Sequence, residues 1–192
     1  MPGEARCVAD LVTSVAAGGR VRFLHFWGHR AQPDGTAGAG CLSQWWPAPF
    51  TVDGVEYQTA EHWMMAGKAR LFGDVEAERR AVAAPHPRAA KSVGRTVRGF
   101  DEGRWATARF DLVAEGNVHK FDQHPDLSRF LLGTRGRVLV EASPRDRIWG
   151  IGLAATDPRA DQPASWQGLN LLGFALMEAR ERLAGREQLA RP

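Results

Sequence analysis

The chain has 192 residues, a formal net charge of +3, and 44% hydrophobic and 24% charged residues, as expected of an ordinary globular protein with one core. No apolar run approaches the length that crosses a bilayer, and the acidic Glu4 and Asp10 near the N-terminus argue against a signal peptide. We therefore expect a cytoplasmic protein with no membrane partner. Its two cysteines, Cys7 and Cys41, lack the spacing of metal ligands, and neither a metal nor a cofactor is expected.

Helices outnumber strands along the chain, which predicts an α+β fold: a single compact, mainly helical domain with a small sheet. We predict an N-terminal extension over residues 1–20, the domain over 21–186 and a C-terminal tail over 187–192. Asp53-Gly54 between β-prone residues predicts a type I′ hairpin turn. The predicted strands are 21–27, 50–52, 55–57 and 137–142, and the predicted helices are 59–72, 74–84, 87–97, 104–121, 125–132 and 169–183.

The basic residues are biased in kind, because all 25 except Lys68, Lys91 and Lys120 are arginine. Arginine binds phosphate bidentately and stacks on flat rings, which suits a nucleotide-binding surface. A GC-rich genome would enrich arginine equally well, so the bias supports both explanations. The seven tryptophans also have two explanations, because tryptophan stacks on bases but more often fills a core.

The helix predicted over residues 59–72 carries the strongest chemical signal. Glu61 and Lys68 lie on one face, two turns and roughly 10 Å apart along the axis, so they cannot pair directly. Either both side chains extend to the rim of the core, or they flank a pocket. In the pocket, Glu61 would be a general acid or base and Lys68 a nucleophile or phosphate anchor; periodicity alone favours neither interpretation. The same face carries Met64 and Met65, as pocket walls in the second interpretation, and Phe72.

A second group of polar residues lies in the loop over 141–152, directly after a predicted buried strand, where binding loops are common. Asp146 is flanked by Arg145 and Arg147, and Trp149 precedes a glycine that allows close backbone access. These residues could bind a ligand. An exposed turn with solvated charges is the simpler interpretation, and the residues alone favour it.

Five sequence blocks follow one another along the chain, and the similarity that they carry extends from about Val21 to about Leu183. They are Leu42-Ser43-Gln44-Trp45-Trp46-Pro47-Ala48-Pro49-Phe50, then Thr59-Ala60-Glu61-His62 through Lys68, then Glu141-Ala142-Ser143-Pro144-x-Asp146-x-x-Trp149-Gly150-x-Gly152, then Trp166-x-Gly168-x-Asn170-x-Leu172-Gly173, and Leu176-Met177-Glu178. In this order and register, the blocks resemble the NADAR family. One departure is Gln44-Trp45-Trp46, where many relatives have Asn-Phe-Tyr, and it puts in doubt how the base or ribose is held.

The resemblance implies a mostly helical α+β domain with N-glycosidase chemistry. The family's functional positions correspond to Glu61, Lys68, Trp105 and Asp146, with the lysine attacking the anomeric carbon and holding the sugar as a Schiff base. Periodicity could not have identified Trp105, because a tryptophan that opens an amphipathic helix is usually core. We add as candidate substrate-binding residues Trp45, Trp46, His62, Arg145, Arg147, Trp149 and Asn170.

The resemblance also implies two substrate classes. The first is ADP-ribose attached to guanine in a nucleotide or nucleic acid, with an ADP-ribosyltransferase toxin as a paired partner. The second is the ribosylaminopyrimidine intermediates of riboflavin biosynthesis. A third hypothesis is a module that binds ADP-ribose without turnover, although the acids and the lysine together argue against it.

Overall fold

The computed structural model describes residues 5–189, apart from the side chain of residue 187. The outer parts of the predicted extension and tail, residues 1–4 and 190–192, lie outside the described residues. Helices predominate in the described part and two small sheets accompany them, which confirms the predicted mainly helical α+β class. The chain forms two compact units, here called the central unit (Gln44–Pro125) and the terminal unit (Met1–Ser43 with Asp126–Pro192).

The helices and strands follow the predicted order. The helices are α1 (Val8–Ala16), α2 (Ala60–Leu71), α3 (Val75–Val82), α4 (Pro87–Gly94), α5 (Glu102–Asp122), α6 (Pro125–Leu132) and α7 (Leu171–Leu189). The strands are β1 (Phe23–Phe26), β2 (Phe50–Val52), β3 (Val55–Tyr57) and β4 (Val138–Glu141). Helix α1 was not predicted, and α7 continues past the predicted end. Within residues 5–189, none of these helices combines the length and the apolarity that crossing a membrane requires.

In the central unit, β2 and β3 form the predicted hairpin. The strands are antiparallel, with Phe50 opposite Tyr57. Asp53 and Gly54 have φ angles of 49° and 78°, the left-handed pair that a type I′ turn requires. The hairpin leads into α2, whose N-cap is Thr59 as predicted. This turn therefore places the start of the helix that carries the candidate acid and lysine.

Helix α2 lies at the centre of its unit and packs against α3, α4 and α5. Nine of its twelve residues are buried, so it has no single apolar face. Met65 is one of them, and its sulfur lies against Gly94 of α4 inside the core. Its sulfur is thus packed between α2 and α4, and the role of Met65 as a pocket wall stays a prediction. Periodicity identifies which residues share a side of a helix, but not which neighbour that side meets when the helix is buried all round.

The packing of α2 on α5 depends on the absence of a side chain at Gly116. The Trp63 indole donates a hydrogen bond to the Leu112 carbonyl at 2.8 Å, which holds the ring where a Cβ on Gly116 would collide with it. Overpacking of this kind costs about 1–3 kcal/mol. We expect Gly116→Ala to lower the free energy of unfolding by an amount in that range, measured by urea denaturation.

Gly103→Ala, in the first turn of the same helix, is the matched control. The atom nearest to a Cβ at that position is Asp101 Oδ1 at 3.5 Å, which is an ordinary contact. This variant is expected to be no less stable than the wild type, since alanine has the higher helix propensity. Equal stability of the two variants would contradict the proposed close approach of α2 and α5.

In the terminal unit, β1 and β4 form a parallel pair with Phe23 opposite Val138. Helix α7 packs on β4, and α1 packs near the short 3-10 helix Pro163–Ser165. Arg180 of α7 is 1% exposed, and its guanidinium donates to the carbonyl oxygens of Thr134 and Arg137, both at 3.0 Å. The turn that precedes β4 is thereby fastened to α7, which supports the strand from which the loop of Asp146 emerges.

Candidate active site

The candidate site residues divide between the two units. Of the four candidate catalytic residues, the central unit holds Glu61, Lys68 and Trp105, and the terminal unit holds Asp146. The candidate substrate-binding residues divide in the same way: Trp45, Trp46 and His62 belong to the central unit, and Arg145, Arg147, Trp149 and Asn170 to the terminal unit. Trp45, Trp46 and Trp149 are half-buried, whereas Arg145 and Arg147 are exposed.

Lys68, in the last turn of α2, lies against two aromatic rings. Its Nζ is 4.0 Å from the centroid of the Phe100 ring and 5.6 Å from that of Trp105. Burial lowers the pKa of the Lys68 ammonium, and the negative charge of Glu102 opposes this effect. A lysine with a lowered pKa has more of its amine unprotonated at neutral pH, which is what a nucleophilic lysine needs. The structure thus brings Lys68 and Trp105 together.

The start of α5 explains why these rings meet the lysine. Asp101 caps the helix, with its carboxylate accepting a hydrogen bond from the backbone N–H of Arg104 at 2.6 Å. Phe100 precedes the cap and Trp105 follows it by four residues, which are the two positions of a hydrophobic staple. Sequence reasoning missed Phe100 and Glu102, although this staple pattern around a capping Asp was readable in the chain.

Glu61 lies in the first turn of α2 and is 2% exposed. The interpretation that its side chain extends to the rim of the core is therefore wrong. Its backbone N–H donates to the Gln44 carbonyl at 3.0 Å, and the Gln44 amide donates to Asn117 Oδ1 at 3.1 Å. These bonds fix the backbone at Glu61, from which the buried side chain projects.

The His62 ring is 0% exposed, and both of its nitrogens are bonded inside the central unit. Nε2 lies 3.1 Å from the Ala84 carbonyl and Nδ1 2.8 Å from the Thr59 hydroxyl. Since a carbonyl only accepts, we assign the proton to Nε2, with Nδ1 accepting from Thr59. Burial lowers the pKa of His62, which favours this neutral form. The ring therefore ties α2 to the end of α3, and its contact with substrate stays a prediction.

Asp146 organises its own loop in the terminal unit. Its Oδ1 accepts hydrogen bonds from the backbone N–H groups of Ile148 and Trp149 at 2.9 and 2.8 Å, and its carbonyl accepts from Gly152 at 3.1 Å. Arg147 donates to the Gln167 side chain at 3.2 Å. The loop is therefore a structured turn in which Arg145 and Arg147 are exposed, as the interpretation as an exposed turn predicted. Whether Asp146 also handles a proton stays a prediction.

Asn170 connects this loop to β4. It is 0% exposed, has a left-handed φ of 52°, and donates its backbone N–H to the Gly150 carbonyl at 3.1 Å. Its carboxamide accepts from the Glu141 N–H and donates to the Leu139 carbonyl, both at 2.9 Å. The side chain is thus occupied in holding strand and loop together. Its predicted contact with substrate stays untested.

Comparison with known proteins agrees with this fold and these sequence blocks. The family model described as the NADAR domain matches residues 25–184. The NMR structure of the E. coli protein YbiA superposes with a TM-score of 0.70 at 26% identity, covering 90% of each chain. The chain belongs to the NADAR family.

Curated relatives indicate the class of activity. N-glycosidase R617 of Acanthamoeba polyphaga mimivirus is 44% identical over 150 residues, which cover 76% of this chain and 88% of the relative. The name N-glycosidase recurs in relatives from Nostoc punctiforme and Shigella boydii. The chloroplastic riboflavin biosynthesis protein PYRR of Zea mays is 33% identical over 136 residues, covering 67% of this chain and 20% of that protein. The chain is thus an enzyme, a hydrolase of the N-glycosidase class.

Proposed function

We propose that the enzyme hydrolyses the N-glycosidic bond between ADP-ribose and a guanine base, with Lys68 as the covalent nucleophile. The observation that carries the proposal is the placement of the Lys68 ammonium against the rings of Phe100 and Trp105, where burial lowers its pKa. A lysine used only to bind phosphate needs its full charge, so lowering the pKa would weaken that role. An amine that attacks carbon benefits from the same environment.

The proposed reaction has three steps. Glu61 or Asp146 donates a proton to the ribose ring oxygen, and the ring opens as the C1–O bond breaks. The neutral Lys68 amine then bonds to C1, the bond from C1 to the guanine nitrogen breaks, and guanine leaves with a proton. Finally, water activated by the remaining carboxylate adds to C1 of the resulting Schiff base. Cleavage of the C1–Nζ bond then releases ADP-ribose and the free lysine.

Burial of the acid supports this mechanism. Glu61 is 2% exposed, and a carboxylate in such surroundings transfers protons to a bound substrate without competition from bulk water. The arginine-rich composition supports a substrate that carries phosphates, with Arg145 and Arg147 as exposed candidates to bind them. Trp149 and Trp105 are candidates for stacking on a ring.

A second candidate substrate is a ribosylaminopyrimidine of riboflavin biosynthesis. The observation that favours it is the similarity to the Zea mays protein PYRR, whose name assigns it to that pathway. The two candidates differ in what leaves: guanine and ADP-ribose in the first, an aminopyrimidine and a ribose phosphate in the second. Both substrates contain an anomeric carbon that Lys68 could attack, so the chemistry alone does not choose between them.

A comparison of the two substrates, each offered by itself, decides between them. The purified chain is offered an oligonucleotide with ADP-ribosylated guanine and, separately, the ribosylaminopyrimidine, and the products are separated by liquid chromatography. We expect release of ADP-ribose from the oligonucleotide and little release from the pyrimidine. The reverse pattern would support the riboflavin-pathway substrate. Tight binding of ADP-ribose with no product over hours would leave a binding module as the better description.

We further propose that the enzyme acts in the cytoplasm, and that an ADP-ribosyltransferase toxin generates its substrate. Cys7 and Cys41, both within residues 5–189, are not joined by a disulfide, which suits a reducing compartment. A toxin partner follows from the substrate, because ADP-ribosylated guanine needs a transferase to form it. Expression of the chain together with such a transferase should restore the growth of cells that the transferase alone inhibits.

A further inference from the structure

A buried carboxylate ties the segment before α5 to the junction between α2 and α3. Asp74 is 4% exposed and caps α3 by accepting a hydrogen bond from the Ala77 N–H at 3.2 Å. It also accepts from the backbone N–H of Arg98 at 2.9 Å and from the Arg98 guanidinium at 2.8 Å. These bonds hold the pKa of Asp74 far below its usual range, with the Arg98 side chain as the largest cause. Both members of the pair are therefore ionised at neutral pH.

Two residues beyond Arg98, Phe100 covers the lysine. Its ring centroid lies 4.0 Å from Lys68 Nζ, although Phe100 is itself 42% exposed. The ring meets that of Phe72 edge-on, with centroids 5.3 Å apart. Val97, the residue before Arg98, packs into a small buried cluster with Ala69 and Ala77. An exposed aromatic ring is thus held over an amine by contacts on a short, well-anchored segment.

We propose that Phe100 is a positioning residue for Lys68, and that the pair of Asp74 and Arg98 is the clamp that keeps Phe100 over the amine. The ring removes water from the ammonium and directs the Lys68 side chain toward Trp105. This inference rests on the proposed role of Lys68 as nucleophile. It names Phe100, Asp74 and Arg98 as the residues that make Lys68 more reactive than the other lysines.

The ring acts on the lysine in two opposing ways. Its cover removes water, which disfavours the charged form, while its π face attracts the cation. Burial is the largest cause of the lowered pKa of Lys68, and the charge of Glu102 opposes it. We take the water that the ring excludes to matter more for this pKa than the attraction of its π face. Removing the ring should therefore raise the pKa. A leucine in its place should keep the pKa low, because leucine excludes water but has no π face.

Other charges near α2 do not account for this effect. Glu102 on α5 acts on Lys68 and raises its pKa. Arg104 on α5 lies over the Phe72 ring at 5.6 Å, and Glu78 on α3 is paired with Arg70 at 2.6 Å. The remaining charged residues on the elements packed against α2 are Glu56 on β3, Glu76, Arg79 and Arg80 on α3, Arg88 and Lys91 on α4, and Arg109, Asp111, Glu115, His119, Lys120 and Asp122 on α5.

The test measures the pKa of Lys68 without requiring turnover. The full chain is labelled with a trace of acetic anhydride over a range of pH, and the extent of labelling of the Lys68 peptide is read by mass spectrometry. We expect Phe100→Ala to raise the apparent pKa and to lower labelling at neutral pH about 3- to 10-fold, since each pKa unit changes the amine fraction tenfold. Phe100→Leu should leave the apparent pKa near that of the wild type. Labelling of Lys91 in the same digest is the internal reference and should not change.

The clamp is tested with Arg98→Ala, which removes the guanidinium but leaves the backbone bonds to Asp74. It should shift the Lys68 pKa in the same direction as Phe100→Ala and by less, while Arg98→Lys should largely restore it. An unchanged Lys68 pKa in Phe100→Ala would overturn the proposal, as would an equal rise in Phe100→Leu. If Phe100→Ala fails to fold, the other two variants give the test. An unchanged Lys68 pKa in Arg98→Ala, or a raised pKa in Phe100→Leu, would then overturn the proposal.

The same variants separate this inference from the proposed function. If Lys68 is the nucleophile, the rise of turnover with pH should move to higher pH in Phe100→Ala, because the reaction needs the unprotonated amine. A shifted labelling pKa with an unchanged pH profile of turnover would refute the nucleophilic role of Lys68 and leave the role of Phe100 standing. An unchanged labelling pKa would refute the role of Phe100 whatever the pH profile shows.

Discussion

Lys68→Arg is expected to reduce turnover by on the order of 10⁴-fold or more, the scale of loss when a covalent nucleophile is removed. Arginine keeps the positive charge and much of the length, so the contact with Phe100 and Trp105 is conserved in kind. It stays protonated at every working pH and therefore cannot form a Schiff base. The release of free base or ADP-ribose, followed by chromatography, measures the effect.

Lys91→Arg is the matched control, because it makes the same change on α4 and should retain wild-type activity. Borohydride added during turnover should reduce the Schiff base and leave a sugar attached to Lys68, detectable by mass spectrometry of the peptide. Near-normal turnover in Lys68→Arg would refute the covalent role. A sugar trapped on another lysine would make that lysine the covalent nucleophile.

Glu61→Gln is expected to lower turnover by about 10²- to 10⁴-fold, the usual contribution of a general acid or base. Glutamine has nearly the same shape, so the buried position at the start of α2 can accept it. The substitution removes the ability to exchange a proton. The limb of the pH profile that belongs to Glu61 should disappear in the variant, which steady-state rates from acid to alkaline pH would reveal.

A purely structural role of Glu61 would give a different pattern. In that case Glu61→Gln would lower the melting temperature and the turnover together, while the shape of the pH profile would not change. Glu76→Gln, which makes the same substitution at an exposed position on α3, controls for the loss of one negative charge. It should match the wild type in both stability and turnover.

Local signals in the sequence predicted most of the secondary structure of the central unit. Asp53-Gly54 required left-handed φ angles, and the structure has them at both residues. Asp74 was expected to cap α3, and it does so through the Ala77 N–H. Such features depend on backbone geometry within a few residues, so they can be read without knowledge of the fold. The NADAR blocks added the family and the class of enzyme.

Contacts between distant segments could not be predicted in this way. The parallel pairing of β1 with β4 joins residues more than a hundred positions apart, and no local pattern specifies such a register. The contact of Met65 with Gly94 likewise joins α2 to α4, and helical spacing does not show which helix a buried side chain meets. The carboxamide of Asn170 binds β4 through Glu141 and Leu139, a contact across about thirty positions that no local pattern predicts.

Glu61 and Lys68 show which properties can be predicted from the sequence and which depend on the tertiary structure. Helical spacing placed the two side chains two turns apart and established that they could not pair, which follows from the rise per residue alone. Only the tertiary structure decided that Glu61 is fully covered and that Lys68 meets an aromatic surface. The sequence by itself determined the hairpin, the helices after α1, the family and the candidate acid and lysine. Tertiary structure decided the surroundings of the lysine, because burial lowers its pKa and the start of α5 brings Phe100 and Trp105 to α2 from more than thirty residues away.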